Sequence, residues 1–80
     1  MTAADAVFAA LGRQLRLDPA VLRQRQDESL ERLGLDSQGL MRVLLDTERA
    51  LGLAKSLELP DDALDSPRTL AAGVSALTGR

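Results

Sequence analysis

The sequence predicts an all-α protein, a small bundle of three main helices plus one or two short helices, in a single domain over residues 1–80. Seventeen leucines and twelve alanines, against one phenylalanine and no tryptophan or tyrosine, describe an aliphatic helical core. Apolar residues recur at spacings of three and four along three stretches, which is the pattern of helices that each bury one face. Residues that commonly cap helices precede these stretches. The chain is long enough to enclose one core of this kind.

The first helix is predicted from Ala3 to about Arg16. Thr2 and Asp5 have the types and the spacing of an N-cap and a first-turn acid. Apolar residues then follow at helical spacing, at Val7, Phe8, Leu11 and Leu15.

A short helical turn is predicted next, with Asp18 as its N-cap and Pro19 as its first residue. We expect this turn to bury Val21 and Leu22. The strongly polar residues 23–31 that follow predict a solvated loop, and the apolar residues that should anchor it are Leu30 and Leu33.

The second main helix is predicted to begin at Asp36 or Ser37 and to end near Leu51, with Gly52 as the residue that terminates it. A helical wheel divides its apolar residues between two faces. The face expected in the core holds Leu40, Val43, Leu44, Thr47 and Leu51. The other face holds Gln38, Met41, Leu45 and Arg49.

The residues from 53 to 65 predict an extended piece followed by a short turn of helix, because three leucines surround Pro60. Ser66 and Pro67 form a second pair of N-cap and first helical residue, so a last helix should begin there. Its buried stripe is predicted to be Leu70, Val74 and Leu77. The adjacent acids Asp61 and Asp62 can either start the helical turn or bind a metal ion, and the first interpretation is favoured.

Composition excludes several classes of function. A net charge of −2 and the near absence of aromatic residues argue against nucleic-acid binding, which needs a basic face or stacking side chains. The chain has no cysteine for a disulfide or a thiolate metal site. No segment is apolar for long enough to span a bilayer, and the first residues lack the pattern of a signal peptide. We therefore expect a cytoplasmic monomer without a metal site.

Ser37 is the candidate functional residue. Gly34 allows the preceding loop to turn sharply, and Asp36 can cap the helix so that Ser37 lies on its first turn. Helix N-termini favour anions, which suits a phosphodiester on Ser37. Because the chain has no histidine or cysteine to activate a nucleophilic serine, modification by another enzyme is favoured over catalysis. The alternative is that Ser37 is only a structural cap.

The run Leu33-Gly34-Leu35-Asp36-Ser37, followed by Leu40, Met41, Leu44 and Glu48, resembles the acyl carrier proteins. The resemblance covers residues 5 to 78, and its motif is the Gly-x-Asp-Ser at the head of the second main helix. It implies that a phosphopantetheinyl transferase attaches 4'-phosphopantetheine from coenzyme A to Ser37. Acyl groups are then carried as thioesters on the thiol of that arm. Asp36 is implied to help hold the magnesium ion used by the transferase, or only to cap the helix.

The resemblance also implies a docking surface for partner enzymes. Its residues are Gln38, Met41, Arg42 and Leu45, although Met41 and Leu45 could instead be ordinary core residues. Gln38 replaces the leucine that the family most often has after the serine. The four charged residues of the second main helix sum to zero, whereas carriers of fatty-acid synthesis usually have an acidic helix there. This neutral helix is either a plain solvated face or a surface for enzymes that recognise another charge pattern.

Residues 65–70, Asp-Ser-Pro-Arg-Thr-Leu, resemble the start of the last helix in free-standing carriers of bacterial type II polyketide assembly. This implies a non-catalytic carrier whose partners are acyl-transferring and condensing enzymes. Residues 65–72 and Met41-Arg42 are also similar to peptidyl or aminoacyl carriers of nonribosomal synthesis. Those usually have histidine where this chain has Asp36. A third alternative is an unmodified helical adaptor that binds partners through Met41 and Leu45.

Two positions depart from the family pattern. Gly39 should weaken initiation of the second main helix by roughly 0.5–1 kcal/mol relative to alanine. Pro60 falls later than the family's proline, so a full helix between residues 52 and 66 does not follow from the resemblance.

Overall fold

The computed structural model describes all 80 residues, which form helices and no strand. The three main helices are α1 (Ala3–Leu15), α3 (Ser37–Leu51) and α4 (Pro67–Thr78). A short helix, α2 (Pro19–Gln24), and a 3₁₀ helix (Asp61–Leu64) lie in the connections. The predicted fold class is confirmed. No helix is both long enough and apolar enough to cross a membrane.

Side-chain caps start the helices at the predicted residues. Thr2 and Asp5 form a reciprocal capping box, in which the Asp5 N–H donates to Thr2 Oγ1 at 3.1 Å and the Thr2 N–H donates to Asp5 Oδ2 at 3.3 Å. Asp18 caps α2 with Pro19 as its first residue, and Ser66 caps α4 in the same way ahead of its own proline. Such caps satisfy N–H groups that have no partner inside the helix.

The core lies between α1 and the two other main helices, since α1 packs against both α3 and α4. It is built from small and branched aliphatic side chains around one phenylalanine. Its members are Ala3, Ala6, Val7, Phe8, Ala10, Leu11, Leu22, Leu30, Leu35, Val43, Leu51, Leu70, Ala71 and Val74.

Two predictions about burial need correction. Val21 is 39% exposed, because the six-residue α2 turns only one side to the core and Leu22 occupies it. Leu77 is 54% exposed, because it lies in the last turn of α4 beside an open groove along residues 53–58 that no element covers. The predicted core face of α3 does pack inward: Val43 has no exposed surface, and Leu40 and Leu44 are half-buried at the edge of the core.

Two helix boundaries also differ slightly from the prediction. α1 ends at Leu15, because Arg16 adopts a left-handed conformation with a φ of 57°. The short helix α2 extends to Gln24, into the segment predicted as a loop. α3 ends at Leu51 and is terminated by Gly52 in the left-handed region, as predicted.

The connection between α3 and α4 is extended and then forms the single 3₁₀ helix, which confirms the predicted extended piece and short turn. Asp61 and Asp62 are the first two residues of that 3₁₀ helix. Gly73 allows α4 to pack closely against the 3₁₀ helix, since a Cβ at this position would lie 3.0 Å from the Cβ of Ala63.

Candidate functional site

Ser37 is the first residue of α3 and is exposed. The residue that caps the helix is Asp36, whose Oδ1 accepts a hydrogen bond from the Gly39 N–H at 2.7 Å. The Ser37 hydroxyl takes part in no hydrogen bond within the protein. The capping role therefore belongs to Asp36, and the hydroxyl of Ser37 is free to react.

The loop before Ser37 is tightly turned. Gly34 has a φ of 99°, a conformation that glycine adopts without strain. The N–H of Leu35 reaches back to the carbonyl of Leu30 at 2.9 Å, and the N–H of Gly34 donates to the carbonyl of Glu31 at 3.0 Å. Leu30 and Leu35 are buried, so the loop is held by side chains as well as by its backbone.

Contacts with the start of α4 fix this loop to the rest of the bundle. The N–H of Leu30 donates to the carbonyl of Asp65 at 2.8 Å, and the N–H of Arg68 donates to the carbonyl of Gln26 at 3.0 Å. The guanidinium of Arg68 also donates to the carboxylate of Asp27 at 2.6 and 3.2 Å. These hydrogen bonds hold the pKa of Asp27 below its ordinary value. We call the pair of Asp27 and Arg68 the clamp. No sequence signal identified it, because the two residues lie far apart along the chain.

Gly39 has a structural role that the helix propensities alone do not show. It is buried, and a Cβ at this position would lie 3.0 Å from both Asp36 Oδ1 and Leu35 Cδ1, and 3.2 Å from Gln14 Nε2. Glycine weakens the first turn of α3, yet it leaves room for the capping carboxylate and for the end of α1.

A surface groove of about 550 Å³ begins at Ser37 and runs toward the 3₁₀ helix. Half of its lining is apolar. The lining residues are Leu30, Glu31, Gly34, Leu35, Asp36, Ser37, Leu40 and Leu64. A free primary hydroxyl at a helix N-terminus, beside an open groove with both polar and apolar walls, fits a flexible phosphate-linked arm.

The exposed face of α3 continues from Ser37. Met41 and Leu45 follow at intervals of four residues, which places them along one side of the helix. Met41 is 70% and Leu45 is 40% exposed, so neither is an ordinary core residue. A second groove of about 500 Å³ lies along this side, lined by Gln38, Met41, Arg42, Leu44, Leu45 and Glu48.

Comparison with known proteins places the chain in a family. A family model described as "Phosphopantetheine attachment site" matches residues 5–76. A curated relative from Streptomyces coelicolor, "Probable acyl carrier protein", is 37% identical over 49 residues, which are 61% of this chain. The match covers 50% of the relative, so the chain spans about half the length of that protein. No match to the chain was found among solved structures.

The family match covers almost the whole bundle, from the first turn of α1 to the last turn of α4. The free hydroxyl on α3 and the groove beside it agree with the group that the family binds. The chain belongs to the family of carrier proteins with a phosphopantetheine attachment site, whose prosthetic group is a covalently attached phosphopantetheine.

Proposed function

We propose that Ser37 is the attachment residue and that the chain carries acyl intermediates as thioesters. The observation that carries this proposal is the exposed, unbonded hydroxyl on the first turn of a helix whose preceding loop is clamped in place. The family's arm supplies the thiol that holds the cargo. The chain's own contribution is to present Ser37 at a fixed position, where the helix N-terminus favours the phosphate.

Attachment is a phosphoryl-group transfer. The Ser37 oxygen forms a bond to the phosphorus that bears the pantetheine arm of coenzyme A, loses its proton, and 3',5'-ADP leaves with the electron pair of the broken bond. Asp36 can cap α3 and still offer a carboxylate oxygen to the transferase. Its Oδ1 accepts from the Gly39 N–H, whereas its Oδ2 has no hydrogen bond in the structure. We assign to Asp36 a contact with the transferase's magnesium ion through that second oxygen.

Intact-mass measurement tests the attachment. Incubation with coenzyme A and a broad-specificity phosphopantetheinyl transferase should add about 340 Da, the mass of the arm less one water. Ser37→Ala should abolish the gain. Ser75→Ala is the matched control, since Ser75 is also an exposed serine on a helix, and it should be modified like the natural chain. A gain of the same mass on folded Ser37→Ala would refute the assignment.

The docking surface proposed for the transferase and for biosynthetic enzymes is Gln38, Met41, Arg42 and Leu45. It is supported by the exposure of Met41 and Leu45 and by their alignment with Ser37. An enzyme that covers these side chains would also lie over Ser37. Burial of each apolar side chain stabilises the complex by at most about 1.5–3 kcal/mol. Contacts of that size suit a carrier that must leave one partner for the next.

Met41→Asp and Leu45→Asp should slow transfer of cargo while circular dichroism shows an unchanged helix content. Val43→Asp is the matched control on the buried side of the same helix. It should unfold the domain, because an unpaired buried carboxylate exceeds the small stability of a domain of this size. If Leu45→Asp unfolds the chain as readily as Val43→Asp does, Leu45 belongs to the core and the docking surface is wrong.

We further propose that the cargo is acyl and that the pathway is polyketide or related secondary metabolism. Support comes from Asp36 at the position where aminoacyl carriers usually have histidine, and from the similarity of residues 65–70 to polyketide carriers. Loading assays with malonyl and with aminoacyl donors separate the two kinds of cargo. An unmodified adaptor, the alternative of another class, would gain no mass in the attachment experiment.

A further inference from the structure

Two arginines stand on the exposed side of α3. Arg42 and Arg49 are seven residues apart, so they lie nearly in line and about 10 Å apart along the helix axis. They share the exposed arc of the helix with Met41 and Leu45. Neither guanidinium forms an ion pair within the chain. Both charges are therefore available to a partner.

The carboxylates of α3 are placed differently. Asp46 is half-buried on one flank of the exposed arc, and its Oδ2 lies 4.0 Å from a guanidinium nitrogen of Arg13 in α1. Glu48 is half-buried on the other flank, where its Oε2 accepts a hydrogen bond from the Leu57 N–H at 2.9 Å. Glu48 also lines the groove beside Met41 and Leu45. The formal charges of the helix sum to zero, but both carboxylates are half-buried and have partners within the chain, whereas both arginines are exposed and unpaired.

We infer that the enzyme that docks on α3 has an acidic binding surface, with an apolar recess for Met41 and Leu45 and carboxylates placed for Arg42 and Arg49. This rests on the proposed docking surface and adds the polarity of the partner. Guanidinium groups pair well with carboxylates in two-point geometry. Charges at the rim of an interface chiefly set the association rate and repel partners of like charge. Enzymes with basic docking patches, which suit acidic carriers, should be poor partners for this chain.

A protein partner fits this surface better than a membrane or a nucleic acid does. Anionic lipid surfaces are typically bound by clusters of about four to eight basic residues, and this face offers two. The chain as a whole has a net charge of −2, which repels extended polyanions. The exposed Met41 and Leu45 beside the two arginines also need an apolar recess, which a folded protein surface provides.

Charge reversal tests the inference on the phosphopantetheinylated chain. The variants are Arg42→Glu and Arg49→Glu, together with the neutral Arg42→Gln. Lys55→Glu is the matched control, because Lys55 is exposed, lies outside α3 and forms no ion pair. The probe is an acyl-loading or condensing enzyme of the source organism that turns over the modified chain. The readout is kcat/KM at low and at high ionic strength, with circular dichroism to verify folding.

At low salt, each charge reversal on α3 should lower kcat/KM about tenfold relative to Lys55→Glu. Arg42→Gln should fall in between, and the losses should shrink at high salt because screening weakens the encounter. A rise in kcat/KM on charge reversal would show a basic partner surface and overturn the inference, and so would values equal to those of Lys55→Glu. Failure of the proposed function would appear earlier and separately, as no mass gain at Ser37.

Discussion

The two segments that flank α3 are held in place in different ways. Residues 25–36, which lead into the Ser37 end, contain the buried side chains Leu30 and Leu35 and are hydrogen-bonded to the start of α4. Residues 53–60, which leave the other end, contain no buried side chain. They are hydrogen-bonded to α3 only through Glu48, whose carbonyl accepts from the Leu53 N–H and whose carboxylate accepts from the Leu57 N–H, both at 2.9 Å.

This difference indicates which end of α3 is held in a fixed position. The end of α3 that bears Ser37 is fixed by contacts with elements far along the chain, while the opposite end is connected by a loosely held segment. Under the proposed attachment at Ser37, this preorganised end of α3 would reduce the ordering that an enzyme must impose on binding. Segments with few buried contacts open locally at lower free energy, so motion should concentrate in residues 53–60.

Truncation of one leucine in each of the two segments should give the largest difference in the free energy of unfolding. Leu30→Ala removes a buried side chain and should lower the free energy of unfolding by about 2–5 kcal/mol. Leu57→Ala removes a half-buried one and should cost about 1 kcal/mol. Urea denaturation followed by circular dichroism measures both values. Equal losses would contradict the difference between the two segments.

Removal of the hydrogen bond between the Leu57 N–H and the Glu48 carboxylate should have a smaller effect on stability. Glu48→Ala deletes the acceptor of the Leu57 N–H and should lower the free energy of unfolding by about 1 kcal/mol. Hydrogen exchange at the Leu57 amide should accelerate, while the amide of Leu30 stays protected. Glu58→Ala is the matched control, since Glu58 is exposed in the same segment and accepts no hydrogen bond. The same exchange rates in both variants would show that Glu48 does not hold the segment.

Removal of the ion pair between Asp27 and Arg68 should have the smallest effect on stability, and this effect should depend on pH. Hydrogen bonds from Arg68 hold the pKa of Asp27 below its ordinary value of 3.8. A lowered folded-state pKa stabilises the fold above the unfolded value and loses that contribution as pH falls through the folded value. Asp27→Asn should therefore be slightly less stable than the natural chain at pH 7, and the two should converge below about pH 4. A difference that persists unchanged in acid would exclude this ion pair as its source.

Features set by neighbours within one helical turn could be predicted from the sequence. The caps at Thr2, Asp18 and Ser66 lie where their residue types indicate, because capping depends on the next three residues. The exposure of Val21 and Leu77 was predicted wrongly, because helical spacing identifies an apolar face without showing whether another element covers it.

In the candidate site, too, some features follow from local sequence and others depend on tertiary packing. The Asp36 cap and the start of α3 at Ser37 follow from local residue types. The clamp between Asp27 and Arg68 does not, since its partners are 41 residues apart and meet only in the folded bundle. The charge distribution on α3 also depends on tertiary contacts. Formal charges can be counted along a helix, but the contact of Asp46 with Arg13 is a property of the tertiary structure.

Peptide-resolved mass spectrometry of the natural chain tests the central assignment most directly, because it needs no substitution that could disturb folding. Cleavage after arginine releases residues 33–42 as one peptide, in which Ser37 is the only hydroxyl-bearing side chain. After incubation with coenzyme A and the transferase, we expect a gain of about 340 Da on this peptide and on no other. A gain on any other peptide, or an unmodified 33–42 peptide in a chain whose total mass has risen, would contradict it.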